Sequence, residues 1–130
     1  RELSDISIMK IFFIVSLLIA ATLANEYIEK LETAAKACGL GGLGELRALE
    51  AKGEKTTVGS TLFCINKEIG IQDSNGIVKA EEVANHIRKT HQDKDVSVQN
   101  KIIENCDKPT GDSGVDKAYN LFLCIIKNLH

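Results

Sequence analysis

The residues of this chain most able to do chemistry are its four cysteines, Cys38, Cys64, Cys106 and Cys124. Cysteine ligands of zinc usually come in closely spaced pairs such as CxxC, whereas 25, 41 and 17 residues separate successive cysteines here. This spacing argues against a zinc site. An even number of cysteines in a small secreted chain predicts disulfides instead, and four cysteines permit three connectivities.

The other groups with catalytic potential do not form a site. His86 and His91 are five residues apart on one predicted helix, so they do not share a face, and His130 is the last residue of the sequence. Ser60 has no evident base to activate it. The glycine-rich stretch 39–44 follows a helix and carries no basic partner, unlike a phosphate-binding loop. The sequence therefore predicts neither an enzyme nor a bound cofactor.

A turn after the third predicted helix resembles a calcium-binding loop. With Gly76 in the sixth position of such a loop, Asp73 and Asn75 occupy the third and fifth positions. The first position, however, is Ile71 instead of a carboxylate, and the ninth is Lys79. A lost carboxylate and an added cation should abolish binding of a hard ion. We therefore interpret the stretch as a helix-entry turn and predict no metal site.

The N-terminal region has the pattern of a secretory signal. Lys10 follows Met9, and the stretch Ile11–Ala24 is apolar except for Ser16 and Thr22. This stretch is shorter than the roughly 20 residues that a membrane-spanning helix needs. We expect cleavage after Ala24, which leaves residues 25–130 as one helical domain. Residues 1–8 precede the candidate initiator methionine and are interpreted as translated upstream sequence or a cloning remnant.

Apolar residues recur at helical spacing through the rest of the chain, and no stretch alternates as a strand would. The sequence thus predicts an all-α fold of about six short helices. Glycines or a turn follow most of them. The expected helices cover Glu26–Cys38, Leu43–Lys52, Thr57–Ile69, Lys79–Gln92, a segment that opens near Asp95 and runs to about Cys106, and Gly114–Leu129. The last helix is apolar around most of its circumference, so we expect it to be central and surrounded by the others.

The composition excludes one class of partner. Sixteen basic and eighteen acidic residues are scattered without clusters, and the net charge is −2. Tryptophan is absent and aromatic residues make up 5% of the chain. A nucleic-acid surface needs a basic patch or aromatic residues on which bases stack, so no nucleic-acid partner is predicted.

The cysteine spacing resembles that of the insect odorant-binding family, the pheromone and general odorant binders. The usual six-cysteine pattern of this family has two further cysteines, at positions that correspond here to Ser60 and Val115. Both absences fall on one expected disulfide, so the chain resembles the four-cysteine "minus-C" branch. The resemblance implies pairing of Cys38 with Cys64 and of Cys106 with Cys124. It also predicts that Ser60 and Val115 are neighbours in the fold.

The same resemblance implies that the helices enclose a hydrophobic cavity. The third and fourth helices are expected to provide wall residues, together with the fifth and the last. We expect Tyr119 to be the polar group that orients a ligand oxygen. The predicted wall residues are Leu62, Phe63, Ile65, Val83, Ile87, Val98, Ile102, Tyr119, Phe122, Ile126 and Leu129.

The function that the resemblance implies is that of a secreted carrier, which binds odorants, pheromones or similar lipophilic molecules reversibly and with micromolar affinity. No stable membrane insertion is expected after signal cleavage, while contact with a chemoreceptor and self-association are left open. One alternative is carriage outside chemosensation, and another is a secreted non-carrier protein with a filled core, as in venom, saliva or reproductive fluid.

Overall fold

The computed structural model describes residues 26–129, so the predicted signal at 1–24 and His130 lie outside the described residues. The described part of the chain forms six helices connected by turns and contains no strand. This confirms the predicted all-α fold. The helices are α1 at 26–37, α2 at Gly44–Ala51, α3 at Lys55–Ile69, α4 at Ala80–Thr90, α5 at Val96–Cys106 and α6 at Gly114–Leu129.

Glycines end α1 and α3 as the sequence predicts. Gly39 follows α1 with φ +91°, and the amide of the next residue, Leu40, donates to the Ala35 carbonyl oxygen. Gly70 caps α3 with φ +85°, and its amide donates to the carbonyl oxygens of Asn66 and Lys67. A residue with a β-carbon would be strained in this left-handed conformation, so glycine sets both boundaries.

Two disulfides connect the helices in the order that the resemblance implies. Cys38 at the end of α1 is bonded to Cys64 in α3, and Cys106 at the end of α5 is bonded to Cys124 in α6. The two bonds span 26 and 18 residues of sequence. Each bond fixes one helix to another helix of the bundle. Both bonds confirm the predicted pairing.

Helix α6 packs mainly against α3 and α5, and its outer flank is open to solvent. Ala118 and Leu121 are buried, but Leu123 is 36% exposed. The expectation that the other helices surround α6 on all sides is therefore wrong. The reason is that the apolar circumference includes a flank on which Leu123 remains partly exposed to solvent.

The turn 71–79 is organised by its own side chains and backbone. The carboxylate oxygen Oδ1 of Asp73 accepts hydrogen bonds from the amides of Asn75 and Ile77, at 2.9 and 3.0 Å. Gln72 and Val78 form an isolated antiparallel bridge across the turn. Asp73 thus stabilises the turn that leads into α4. Within residues 26–129, no three His, Cys, Asp or Glu side chains lie close enough together to hold a metal ion.

Helix α3 comes close to α6 at Gly59, the residue before Ser60. A β-carbon at Gly59 would lie 2.9 Å from Val115 Cγ1 and 3.2 Å from the Val115 carbonyl oxygen. Val115, one of the two positions implied by the missing bridge, therefore packs against the neighbour of Ser60.

None of the described helices is long and apolar enough to cross a bilayer.

We expect Gly59→Ala to lower the free energy of unfolding by about 1–3 kcal/mol, because the new methyl group forces α3 and α6 apart. This is the net loss, after a gain of about 1 kcal/mol from the higher helix propensity of alanine. Gly44→Ala is the matched control, since a β-carbon at Gly44 meets nothing within 4 Å. Urea unfolding followed by circular dichroism measures both variants. Equal stability of Gly59→Ala and the native protein would contradict the close helix contact.

Candidate ligand-binding cavity

A cavity of about 170 Å³ lies between the helices and is lined mostly by apolar side chains. Helices α1, α2, α3, α4 and α6 contribute to its wall, together with residues that flank α2 and follow α3. The lining residues are Leu31, Leu43, Leu46, Leu62, Ile65, Asn66, Ile69, Ile71, His86, Ala118, Leu121, Phe122 and Ile125.

Helical spacing explains why α3 and α6 supply most of the wall. On α3 the lining residues Leu62, Ile65 and Ile69 are three and four positions apart, so they share one face. On α6 the pairs formed by Ala118 with Leu121 and Phe122 show the same spacing. Because α3 and α6 pack side by side, these two faces lie together and leave a space between them.

The volume limits the guest that fits without rearrangement. A cavity of roughly 150 Å³ lined by Leu, Ile and Phe binds benzene. Drug-sized ligands need pockets of about 300 Å³ or more. The cavity of about 170 Å³ therefore suits a ligand of about six to eight non-hydrogen atoms.

Three of the residues predicted from the sequence, Leu62, Ile65 and Phe122, line this cavity. Val83 and Ile87 on α4 are completely buried but do not border the cavity. Ile102 on α5 is likewise only 1% exposed and packs in the core.

The remaining predicted wall residues lie away from the cavity lining. The Tyr119 hydroxyl donates to a carboxylate oxygen of Glu50 at 3.1 Å, which places it at the contact between α2 and α6. Val98 is 37% exposed on α5. Phe63 packs near Gly114, where a β-carbon would come within 2.6 Å of its ring. Two others, Ile126 and Leu129, are partly buried on α6.

Sequence reasoning missed both polar residues of the wall, Asn66 and His86. Asn66 follows Leu62 by four positions, and His86 follows Val83 by three, so each lies on the inward face of its helix. A polar residue within an apolar stripe was therefore the signal that could have identified them. It also missed Leu31 on α1 and Leu46 on α2.

Asn66 belongs to a buried hydrogen-bond network that joins α3 to α6. Its Nδ2 donates to Gln72 Oε1 at 2.7 Å. The Gln72 Nε2 donates in turn to the carbonyl oxygens of Gly76 and Gly114, at 3.2 and 3.1 Å. Gln72 is 2% exposed and Asn66 7% exposed, so these bonds are shielded from solvent. The network holds the cavity wall, the turn and the start of α6 in one arrangement.

His86 is the second polar group of the wall, and it is neutral at pH 7. Burial, together with the smaller effect of the nearby charge of His91, lowers its pKa to about 4. Its Nδ1 atom lies 2.8 Å from the hydroxyl of Tyr27, a group whose own pKa is raised to about 12 by burial and by Glu82. The residues that line the cavity therefore carry no charge at neutral pH.

The protein-family model described as the PBP/GOBP family matches residues 20–128 of the chain. The match covers all six helices except the last residue of α6. Comparisons with curated proteins and with solved structures give no significant match.

Proposed function

The chain belongs to the PBP/GOBP family, the insect odorant- and pheromone-binding proteins, and on this premise we propose that it is a secreted carrier of small hydrophobic molecules. Members of the family are extracellular binding proteins, not enzymes. The observation that carries the proposal is the apolar cavity of about 170 Å³ between α3 and α6, with an uncharged wall.

The apolar wall supports reversible binding of modest strength. Burying about 300 Å² of apolar ligand surface at roughly 25 cal/mol per Å² gives about 7 kcal/mol before the costs of association. This gain corresponds to a dissociation constant of about 10 µM or weaker. Such an affinity is consistent with a carrier that must release its ligand.

Displacement of aniline, a fluorescent aromatic probe small enough for the cavity, tests the proposal on the mature, disulfide-bonded protein. A carrier binds the probe saturably with one site per chain, and small apolar ligands displace it. The alternative is a secreted non-carrier protein with a filled core, and the small volume of the cavity is the observation that supports it. It predicts no saturable binding of the probe and no effect of ligands on thermal stability.

We expect Ala118→Leu to weaken probe binding by about tenfold or more. Ala118 is 1% exposed and lines the cavity, so a larger side chain there occupies space that the ligand needs. Ala51→Leu makes the same change at an exposed position of α2 and should leave affinity unchanged. Fluorescence titration measures both variants. Equal affinity of Ala118→Leu and the native protein would show that the probe binds elsewhere.

Secretion and the loss of one bridge are part of the proposal. We place signal cleavage after Ala24, which sequencing of the N-terminus of the secreted protein tests. We also assign Ser60 and Val115 to the missing third disulfide. Val115 contacts Gly59, next to Ser60, which supports this assignment. Formation of a third disulfide in a Ser60→Cys/Val115→Cys variant would support it further, and failure of the bond to form would oppose it.

A further inference from the structure

We propose that Asn66 presents its side-chain oxygen Oδ1 to the cavity as a hydrogen-bond acceptor, so that the cavity favours ligands with a hydroxyl group over isomers that cannot donate. This inference rests on the proposed carrier function and adds the chemical class of its ligand. It follows from the orientation of two carboxamide groups and from the position of Asn66 in the cavity wall.

The hydrogen-bond network determines which end of each carboxamide faces which neighbour. The backbone carbonyl oxygens of Gly76 and Gly114 only accept hydrogen bonds, so the Gln72 atom that faces both of them is the donor Nε2. The acceptor Oε1 of Gln72 then faces Asn66 at 2.7 Å. Asn66 must offer Nδ2 to this oxygen, which leaves its own Oδ1 at the opposite end of the amide.

The free end of the Asn66 amide borders the cavity. Among the hydrogen bonds of the described residues, none has Asn66 Oδ1 as its acceptor, although the backbone oxygen of Asn66 accepts three, from the amides of Gly70, Ile71 and Gln72. Every fully enclosed side-chain nitrogen or oxygen in the described part of the chain has a partner. Oδ1 therefore lies against open space. Asn66 is 7% exposed and lines the cavity, so that space is the cavity.

An acceptor in an apolar wall discriminates between ligands by their donors. Water can satisfy Oδ1 in the empty cavity, but an apolar guest that displaces the water leaves this oxygen without a partner. A hydroxyl group replaces the lost hydrogen bond. An ether or aldehyde oxygen is itself only an acceptor and cannot do so. We expect the Asn66 oxygen to improve the affinity for an alcohol, relative to an isomeric ether, by about three- to tenfold.

The test compares two isomers that fit the cavity, benzyl alcohol and anisole. Water solvates the two differently, so the measured quantity is the ratio of their affinities in each protein. We expect the ratio of alcohol to ether affinity to fall about three- to tenfold in Asn66→Leu relative to the native protein. Asn85→Leu is the control, since it makes the same change at an exposed position of α4 that does not line the cavity. Its ratio should equal that of the native protein.

A measurement on the native protein covers the case in which Asn66→Leu fails to fold because Gln72 Oε1 loses its donor. The ¹³C resonance of the Asn66 side-chain carbonyl should move to lower frequency when anisole displaces the water, because the oxygen then loses a hydrogen bond, and should move less when benzyl alcohol replaces that bond. Unchanged affinity ratios, or equal ¹³C shifts with both ligands, would overturn the inference while leaving the carrier function intact. If neither isomer binds and neither displaces the aniline probe, the proposed function fails as well.

Discussion

Replacing Cys38 and Cys64 together by alanine is expected to lower the free energy of unfolding by about 3 kcal/mol and to weaken ligand binding. The bond closes a segment of 26 residues, and in the chain-entropy model its removal frees the unfolded chain by about that amount. It also holds the end of α1 against α3. Leu31 on α1 and Leu62 on α3 both line the cavity, so loosening this pair of helices should disturb the wall.

The second disulfide provides the matched comparison. Replacing Cys106 and Cys124 by alanine opens a segment of 18 residues and should also cost about 3 kcal/mol. This bond joins α5 to α6, and α5 contributes no residue to the cavity wall. We therefore expect similar losses of stability but a larger loss of probe affinity for the first pair. Urea unfolding and probe titration at low temperature separate the two effects. Equal changes in affinity would contradict a special role of the α1–α3 bond in the site.

The helices could be predicted closely because their boundaries depend on local chemistry. Gly39 and Gly70 adopt the left-handed conformation that ends a helix, and both positions can be identified from residue type alone. The last helix has the predicted bounds, Gly114–Leu129. The fifth begins immediately after Asp95, although the Asp95 side chain makes no capping hydrogen bond. The start of this helix was therefore predicted correctly, although Asp95 does not make the side-chain hydrogen bond by which aspartate usually caps a helix.

The cavity wall was harder to predict, because periodicity identifies an inward face but not the space beyond it. Leu62 and Ile65 border the cavity, whereas Val83 and Ile87 have the same helical spacing and pack in solid core. The difference depends on how far apart the facing helices stand. That distance follows from the whole arrangement of helices, and no local pattern encodes it.

Polar residues of the wall depend on tertiary partners that a sequence does not reveal. Asn66 lies inward because Gln72 accepts its hydrogen bond across the turn. Tyr119 has the spacing of an inward residue, but Glu50 accepts a hydrogen bond from its hydroxyl group and Lys55 lies 5.3 Å from the centre of its ring. These two partners belong to α2 and α3, which are distant from Tyr119 in sequence. The orientation of each of these polar side chains thus depends on a partner residue that comes close only in the folded protein.

Acid is expected to destabilise the protein through His86 in particular. The pKa of His86 is about 4 in the folded protein, against an ordinary value of 6.5. Between these two pH values the unfolded chain binds a proton that the folded chain does not, so stability falls as the pH decreases from 6.5 to 4. The contribution is fully present above pH 6.5. A difference of this size corresponds to at most about 3 kcal/mol.

The His86→Gln variant isolates this contribution, because glutamine does not titrate. Between pH 7 and 4 the native protein should lose up to about 3 kcal/mol more stability than the variant. His91→Gln is the control, since His91 is less buried and its pKa is lowered mainly by partial burial, with Lys94 lowering it further against the opposing effect of Asp93. This control should remain nearly as acid-sensitive as the native protein. Urea unfolding at pH 7, 5.5 and 4 measures all three proteins.

The cause of the low pKa makes the prediction specific to the position of His86. The ring is partly buried beside Tyr27, whose hydroxyl lies 2.8 Å from Nδ1, and Lys89 lies 5.0 Å from the centre of the Tyr27 ring. Neither group supplies a negative charge that would favour the imidazolium form. Glu82 is close enough to raise the pKa of Tyr27, but it does not prevent the pKa of His86 from being lowered. If the native protein and His86→Gln lose stability in parallel, His86 must be hydrated in the folded state. The cavity wall beside α1 must then be open to water.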